Sequence, residues 1–317
     1  IRSELREESA LGEYGARAIE RTLIDRAPPG APVPSLRTIG RILERHGVVD
    51  RRWRHGRPPP PPGWYLPDVA ARRSELDSFD TIEDLPGAPR VLTGISLHGG
   101  LPAVWPARRV TVGDVVRSLI GHWRDVGLPG YAQFDNAGMF TGSPGTQDAI
   151  GPVVRACVLL GVTPVFAPPR EYGFQAAVEG LNGRWQAKVW KRFGHLPLEG
   201  LRARSDAWVA AVRHRNAVRI EAAPPRRRFP AAPDVEAEPA GRIVLVRRTT
   251  DAGRVNALGH LVPVDDRWTD RLVRVELDLA RGSLRCFALR RRDPTDQPLV
   301  AEHPWRVPSH WAWWPGR

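Results

Sequence analysis

Cysteine is nearly missing from this chain, with Cys157 and Cys286 its whole supply. One falls in a helix-like apolar stretch and the other in a strand-like one, so neither a disulfide framework nor a thiolate zinc site is expected. Long apolar runs are missing too. No stretch of roughly 18 apolar residues offers a bilayer span, and no short apolar segment stands behind a basic one near the start. A soluble, intracellular protein with no membrane partner is the expectation. Methionine occurs once, at Met139, and the chain opens on Ile1, which suggests part of a longer reading frame or one with another start codon.

Arginine and proline, in contrast, are plentiful. The formal charge of +12 and the pI near 10.9 come mainly from Arg, whose planar fork matches phosphate oxygens bidentately, so a polyanionic partner is implied. Nucleic acid is the first choice and an anionic membrane surface the second. With 317 residues and 42% apolar content, the chain has material for real cores and for two or three domains of about 100 to 200 residues each.

Two stretches organise the rest. Gly130-Tyr131-Ala132-Gln133-Phe134-Asp135-Asn136-Ala137-Gly138 follows a Pro-Gly turn and reads as a short apolar strand ending in Asp135. The run from Gly173 to Asn182 reads as the start of a helix. Its apolar residues Phe174, Val178, Leu181, Trp185, Val189 and Phe193 recur at three- and four-residue steps. Gln175, Glu179, Asn182 and Gln186 run beside that stripe, which places Glu179 at the boundary between core and solvent. Taken singly, an Asp-Asn-x-Gly string also suits a turn, and a lone Glu on such a helix also suits a solvated face.

A strand ending in Phe134-Asp135-Asn136 and a helix carrying Val178-Glu179 together resemble the second and third acidic positions of the retroviral-integrase and insertion-sequence transposase superfamily. The resemblance implies a ribonuclease H-like α/β core in which three carboxylates, here Asp77, Asp135 and Glu179, bind two Mg²⁺ or Mn²⁺ ions per active site. The first acidic position lies in the strand Glu75-Leu76-Asp77-Ser78-Phe79-Asp80. Alternation sends Asp77 and Asp80 to opposite faces, so one of them reaches the metals. Asp77 is favoured because Leu76 precedes it, as in the family, and because it shares a face with Phe79; Asp80 stays open. The Asp135 to Glu179 gap of 44 positions exceeds the family's usual separation of about 35, with 142–145 a candidate insertion. Gln186 stands where a basic residue is often found, so Arg184 or Lys188 is expected to grip DNA instead. The paired His and Cys zinc module of retroviral integrases is absent.

Apolar strands at 91–97 and 101–105, a helix at 112–126, the Asp135 strand, a helix around 150–160, a strand at 163–166 and the Glu179 helix give the element order of such a core, which argues for α/β in its own right. The expected organisation is 1–57, an all-α helix-turn-helix module; 58–72, a Pro-rich linker; 73–222, the integrase catalytic core; 223–240, a basic linker; 241–300, a small SH3-like β-barrel; and 301–317, a tail. In the first module Ser35 suits an N-cap and Gly47 a stop, with Leu36, Ile39, Ile42 and Leu43 as core face. Arg37, Arg41 and Arg45 lie four apart on the outer face, an arrangement that resembles a recognition helix entering the major groove. Arg52 and Arg54, in the Arg-Trp-His cluster before five prolines, suit a phosphate backbone. Arg247, Arg248, Arg254, Arg274 and 290–292 give the barrel a basic surface for DNA or for another subunit.

The resemblance implies metal-dependent DNA cleavage and 3′-end strand transfer by a homo-multimer bound to double-stranded DNA, both element ends and target, in a bacterial cytoplasm and nucleoid. A catalytically inactive, transposase-derived DNA-binding protein is the alternative.

Overall fold

The computed structural model describes residues 1–8, 14–48, 60–86, 89–142, 150–171, 173–234, 237, 240–266, 268–290 and 294–305. In chain order the helices are α1 (Arg2–Glu8), α2 (Ala16–Arg26), α3 (Leu36–Arg45), α4 (Pro67–Ala70), α5 (Val112–Val126), α6 (Gly138–Thr141), α7 (Pro152–Leu159), α8 (Ala176–Trp185), α9 (Lys191–Phe193), α10 (Leu198–Arg215) and α11 (Ala217–Glu221), with a π-turn (Gln186–Trp190) between α8 and α9. The strands are β1 (Leu76–Ile82), β2 (Arg90–Ser96), β3 (Pro102–Ala107), β4 (Tyr131–Phe134), β5 (Thr163–Phe166), β6 (Arg242–Arg248), β7 (Arg254–Ala257), β8 (His260–Pro263), β9 (Leu272–Asp278), β10 (Ser283–Ala288) and β11 (Leu299–Pro304). Contacts divide the chain into two compact units, Ile1–Pro59 with Trp185–Val212, and Pro60–Arg184 with Arg213–Arg317.

In the first unit Ile19, Ile39 and Leu43 form a small core with Leu5, Ala16 and Leu23 against it. The Ser35 hydroxyl accepts from the Thr38 amide, capping α3 as its sequence implies. Only half of the expected core face of α3 is covered: Ile39 and Leu43 are buried, whereas Leu36 and Ile42 are 37% and 44% exposed. Ile39 and Leu43 lie one turn apart and make a narrow stripe that α2, with Leu5 of α1, fills. The Trp185 indole donates to Ser205 Oγ on α10 at 3.1 Å.

The second unit is built on one nine-stranded sheet of order β11-β10-β9-β6-β5-β4-β1-β2-β3. Strands β1, β2 and β3 are antiparallel neighbours, while β1, β4 and β5 run parallel. The order β3-β2-β1-β4-β5 is that of a ribonuclease H-like sheet, embedded in a mixed α/β fold. Helix α5 opens on a reciprocal capping box between Thr111 and Asp114 and ends at Gly127, whose φ of 84° suits a residue without Cβ. Its apolar face, Val115, Val116, Leu119 and Trp123, joins Phe79, Phe134 and Phe166 and the α7 residues Val153 and Val158 on one face of the sheet. On the other face Leu76, Tyr131, Val165, Val244 and Val246 meet Trp64, Tyr65 and Phe174. Gly94 stands opposite Phe79 in the β1–β2 register, and a Cβ there would come within 2.6 Å of the Phe79 ring. The missing side chain makes room for that ring.

The segments expected as linker and barrel take part in this unit. Trp64, Tyr65, Leu66 and Val69 are buried in its core, because a stretch this apolar loses more by solvation than by packing. Strand β6 joins β5 in parallel at Val165↔Val244 and Phe166↔Leu245, and β9, β10 and β11 continue outward from it. The strands of 241–300 therefore extend the α/β sheet, covering an edge of β5 that would otherwise leave its amides unpaired. Part of the expected basic linker is also tied down: Arg227 pairs with Leu128 through backbone hydrogen bonds and its Nη2 donates to Gly161 O at 2.6 Å.

Candidate active site

Strand β1 presents its two aspartates to opposite sides, and the partners decide their roles. Asp77 is 1% exposed, accepts from the Trp123 indole of α5 at 3.1 Å and is ion-paired to Arg226. It lies on the α5 face, beside Phe79, away from the other acidic candidates. Asp80 projects to the opposite face. Its Oδ2 accepts from Asn182 Nδ2 of α8 at 2.7 Å, and its Oδ1 accepts from the Thr81 amide at 2.8 Å. Burial pushes the Asp80 carboxyl above the usual carboxylate range; the hydrogen bond from Thr81 opposes this, and the charges of Asp135 and Glu179 add to it. Asp80 thus faces α8, which carries Glu179, and Asp77 faces α5, the reverse of the preference drawn from Leu76.

Asp135 follows the last residue of β4. Its Oδ1 accepts from the Ala137 amide at 2.9 Å, the local bond that turns the chain toward α6. Burial raises its pKa, and Glu83 raises it further against that bond. Glu179 is exposed in the first turn of α8, where a carboxylate also suits the positive end of the helix dipole.

Three side chains absent from the expected ligand set hold this arrangement. Asn182, one turn after Glu179, accepts from Thr93 Oγ1 at 2.7 Å while donating to Asp80, so it links α8 to β1 and β2. Gln133, buried and paired with Ser78 across β4–β1, accepts from the Tyr65 hydroxyl at 2.8 Å and donates to Phe174 O at 3.0 Å. Arg247 of β6 donates to Asn136 Oδ1 at 2.8 Å, and Asn136 Nδ2 donates to Ala167 O at 2.7 Å. Burial pushes the Arg247 guanidinium down to about 10, which leaves it charged at neutral pH. The helical spacing of Glu179 and Asn182 was a readable signal for the first; the others depend on tertiary pairing.

The donor set fits a hard divalent cation by its chemistry, since it offers only carboxylate oxygens whose mutual repulsion a cation relieves. Among the described residues, no three His, Cys, Asp or Glu side chains stand close enough together to hold an ion in the arrangement shown.

Of the residues expected to touch DNA, Arg37, Arg41 and Arg45 are exposed along α3. Arg184 is exposed on α8 with its Nε donating to Gly180 O. The Lys188 ammonium sits over the Tyr14 ring, 4.6 Å from its centre. Arg52 and Arg54 lie outside the described residues. In the C-terminal strands Arg274 is buried and paired with Glu276 at 2.8 Å, and Arg248 and Arg290 are ion-paired with Glu171 and Asp296. No helix among the described residues is long and apolar enough to cross a membrane.

No protein-family profile matches the chain, and no curated protein does. Among solved structures it is similar to the catalytic core domain of BIV integrase, at 15% identity and TM-score 0.35 over 43% of this chain and 81% of that one. It is also similar to a chain of the simian T-cell lymphotropic virus intasome in complex with PP2A regulatory subunit B56 gamma, at 17% identity and TM-score 0.41 over 96% of both chains. A third likeness is to the HTLV-2 integrase catalytic core domain in complex with magnesium, at 14% identity and TM-score 0.31 over 42% of this chain and 81% of that one.

Proposed function

We propose that the chain is an integrase- or transposase-type enzyme that cleaves DNA and joins the freed 3′ end to a target strand, using Asp80, Asp135 and Glu179 as metal ligands. The observation that carries this reading is the placement of Asp80: it projects from β1 of a ribonuclease H-like sheet toward α8, which bears Glu179, and its carboxyl, raised first by burial, is raised further by the charges of Asp135 and Glu179. Such a cluster costs stability unless a cation or a proton neutralises it.

When bound, two Mg²⁺ or Mn²⁺ ions supply an acidified water or 3′-hydroxyl and a charge opposite the departing oxygen. The chain's own part is to orient and to bind. Asn182 and the Thr81 amide fix the rotamer of Asp80, and the Ala137 amide fixes that of Asp135. The exposed arginines of α3, in a helix-turn-helix role, contact duplex DNA. The protein acts as a homo-multimer on two DNA ends, inside the cell. The C-terminal strands, which extend the sheet, add to the same assembly.

A second reading, an inactive DNA-binding derivative, is favoured by two observations: both oxygens of Asp80 already accept hydrogen bonds, and among the described residues no three carboxylates are gathered as ligands. Nicking of supercoiled plasmid, together with cleavage and joining of labelled duplexes taken from DNA flanking the coding sequence, separates the two. The enzyme reading expects products with Mg²⁺ or Mn²⁺, none with EDTA and none from Asp80→Asn or Glu179→Gln. Salt-sensitive DNA binding by folded protein with no products under any metal condition would establish the derivative instead.

A further inference from the structure

Strand β6 meets β5 at only two residue pairs, so its later residues run past the carboxyl ends of β5 and β4. Arg247 stands two positions beyond Leu245. Leu245 and Ile243 pack on the α5 face of the sheet, and Arg247 has their parity, so the guanidinium approaches the end of β4 from the side opposite Asp80. Its contacts are all neutral oxygens. Nη2 donates to Asn136 Oδ1, and Nη1 donates to Val246 O at 2.9 Å and, at longer range, to Ala167 O at 3.3 Å and Phe166 O at 3.4 Å.

The Asn136 amide is thereby used at both ends, accepting from β6 and donating to the carbonyl that follows β5. Asn136 is the residue after Asp135, and the turn it belongs to is closed by Asp135 itself through the Ala137 amide. Rotation of the Asn136 side chain would break two bonds and loosen the backbone that aims Asp135. A largely buried guanidinium with no carboxylate partner among these contacts is costly, and several donors placed on one turn are the return for that cost.

Resting on the proposed reading of the Asp135 site, we infer that Arg247 is a positioning residue for that site, fixing through Asn136 the turn that orients Asp135. The C-terminal extension of the sheet is then part of the active centre, because β6 delivers the residue that fixes the turn after β4.

The test uses the full chain and reads metal binding as well as activity. Free Mn²⁺ is titrated with protein and followed by its electron paramagnetic resonance, and Mg²⁺ half-saturation is measured for plasmid nicking. Thermal melting is recorded alongside. Arg247→Met and Asn136→Ala each raise the Mn²⁺ dissociation constant and the Mg²⁺ half-saturation by about tenfold, the scale of outer-sphere changes at metal sites. The double variant shows little more than either single one, because both cut the same link. Arg247→Lys, which keeps the charge but loses the fork, recovers only part of the affinity.

Wild-type Mn²⁺ affinity in a folded Arg247→Met protein overturns the inference while leaving the active-site reading intact. Should Arg247→Met fail to fold, Asn136→Ala decides, since it leaves the arginine packing in place. A wild-type chain that binds no Mn²⁺ overturns the active-site reading, and the inference falls with it.

Discussion

Arg226 Nη1 donates to Asp77 Oδ2 at 3.0 Å and to Gly127 O at 3.0 Å, which pins the segment after α11 to the end of α5 across the buried face of β1. The pair is almost dry, with side-chain exposures of 15% and 1%. Removing one member of such a pair leaves an uncompensated buried charge, at a cost of about 3 to 5 kcal/mol. Asp77→Asn is therefore expected to lower the melting temperature sharply. Asp80→Asn is expected to leave it unchanged or slightly higher, because a repelled carboxylate is removed, and to abolish cleavage. Melting curves and plasmid nicking on the two variants check this. A stable Asp77→Asn protein that has lost cleavage would return the first ligand to Asp77.

Asn182 carries a different load. Asn182→Ala leaves Thr93 Oγ1 only its longer bond to Asp80 O, at 3.2 Å, and removes the donor to Asp80 Oδ2, at a stability cost of about 1 kcal/mol. Its catalytic effect is expected to be larger, about 10- to 100-fold in nicking rate, as for other residues that orient a metal ligand. Rate at saturating Mn²⁺ and melting temperature, measured together, distinguish orientation from mere support. Equal losses by both measures would reduce Asn182 to a packing role.

His122 sits beneath Trp105, their ring planes nearly perpendicular, and burial holds its pKa down to about 4. Asp77 and Asp125 act to raise it, and Arg226 and Arg213 to lower it. An unfolded histidine takes its proton near pH 6.5, so between 6.5 and 4 the unfolded state binds more protons and stability falls as pH falls. The loss is at most about 3 kcal/mol. Denaturant midpoints from pH 7.5 to 4.5 for wild type and His122→Gln are expected to diverge below pH 6.5, with the wild-type curve the steeper. Parallel curves would show that His122 is solvated.

A chain ended after residue 240 tests whether the C-terminal strands are separable. It lacks Ile243, Leu245 and Val275, which lie in the same core cluster as Phe79 and Phe134. Aggregation, or loss of a cooperative melt, is expected. A monodisperse, cooperatively melting truncation would instead support an independent C-terminal module.

The sequence revealed the parts of this site that depend on local pattern. Asp135 at the end of an apolar strand and Glu179 at the start of an amphipathic helix were placed by local pattern, while their reading as ligands came from the family resemblance. The choice between Asp77 and Asp80 was not readable in that way: each follows an apolar residue, and alternation says only that they oppose one another. What sets them apart is Arg226, 149 positions from Asp77, and Asn182, 102 positions from Asp80. The extent of the sheet was partly readable. Ile243-Val244-Leu245-Val246 is an unbroken apolar run, the pattern of a strand covered on both faces, and it suits the middle of a sheet better than the wall of a small half-solvated barrel. The burial of Arg247 left no such trace, since an arginine at a strand end reads as surface.

The β5–β6 joint also sets a schedule for the ribosome. Val165 and Val244 are partners about 80 residues apart in the chain. At about 5 to 20 residues per second, β5 emerges roughly 4 to 16 seconds before the strand that covers it. For that interval the nascent chain carries an open parallel edge flanked by apolar side chains on both faces, the kind of surface that recruits stray strands or chaperones. Yield of folded protein should therefore depend on how quickly residues 167 to 245 are translated, and the same strand that completes the sheet ends the period in which the chain is most exposed to misassembly.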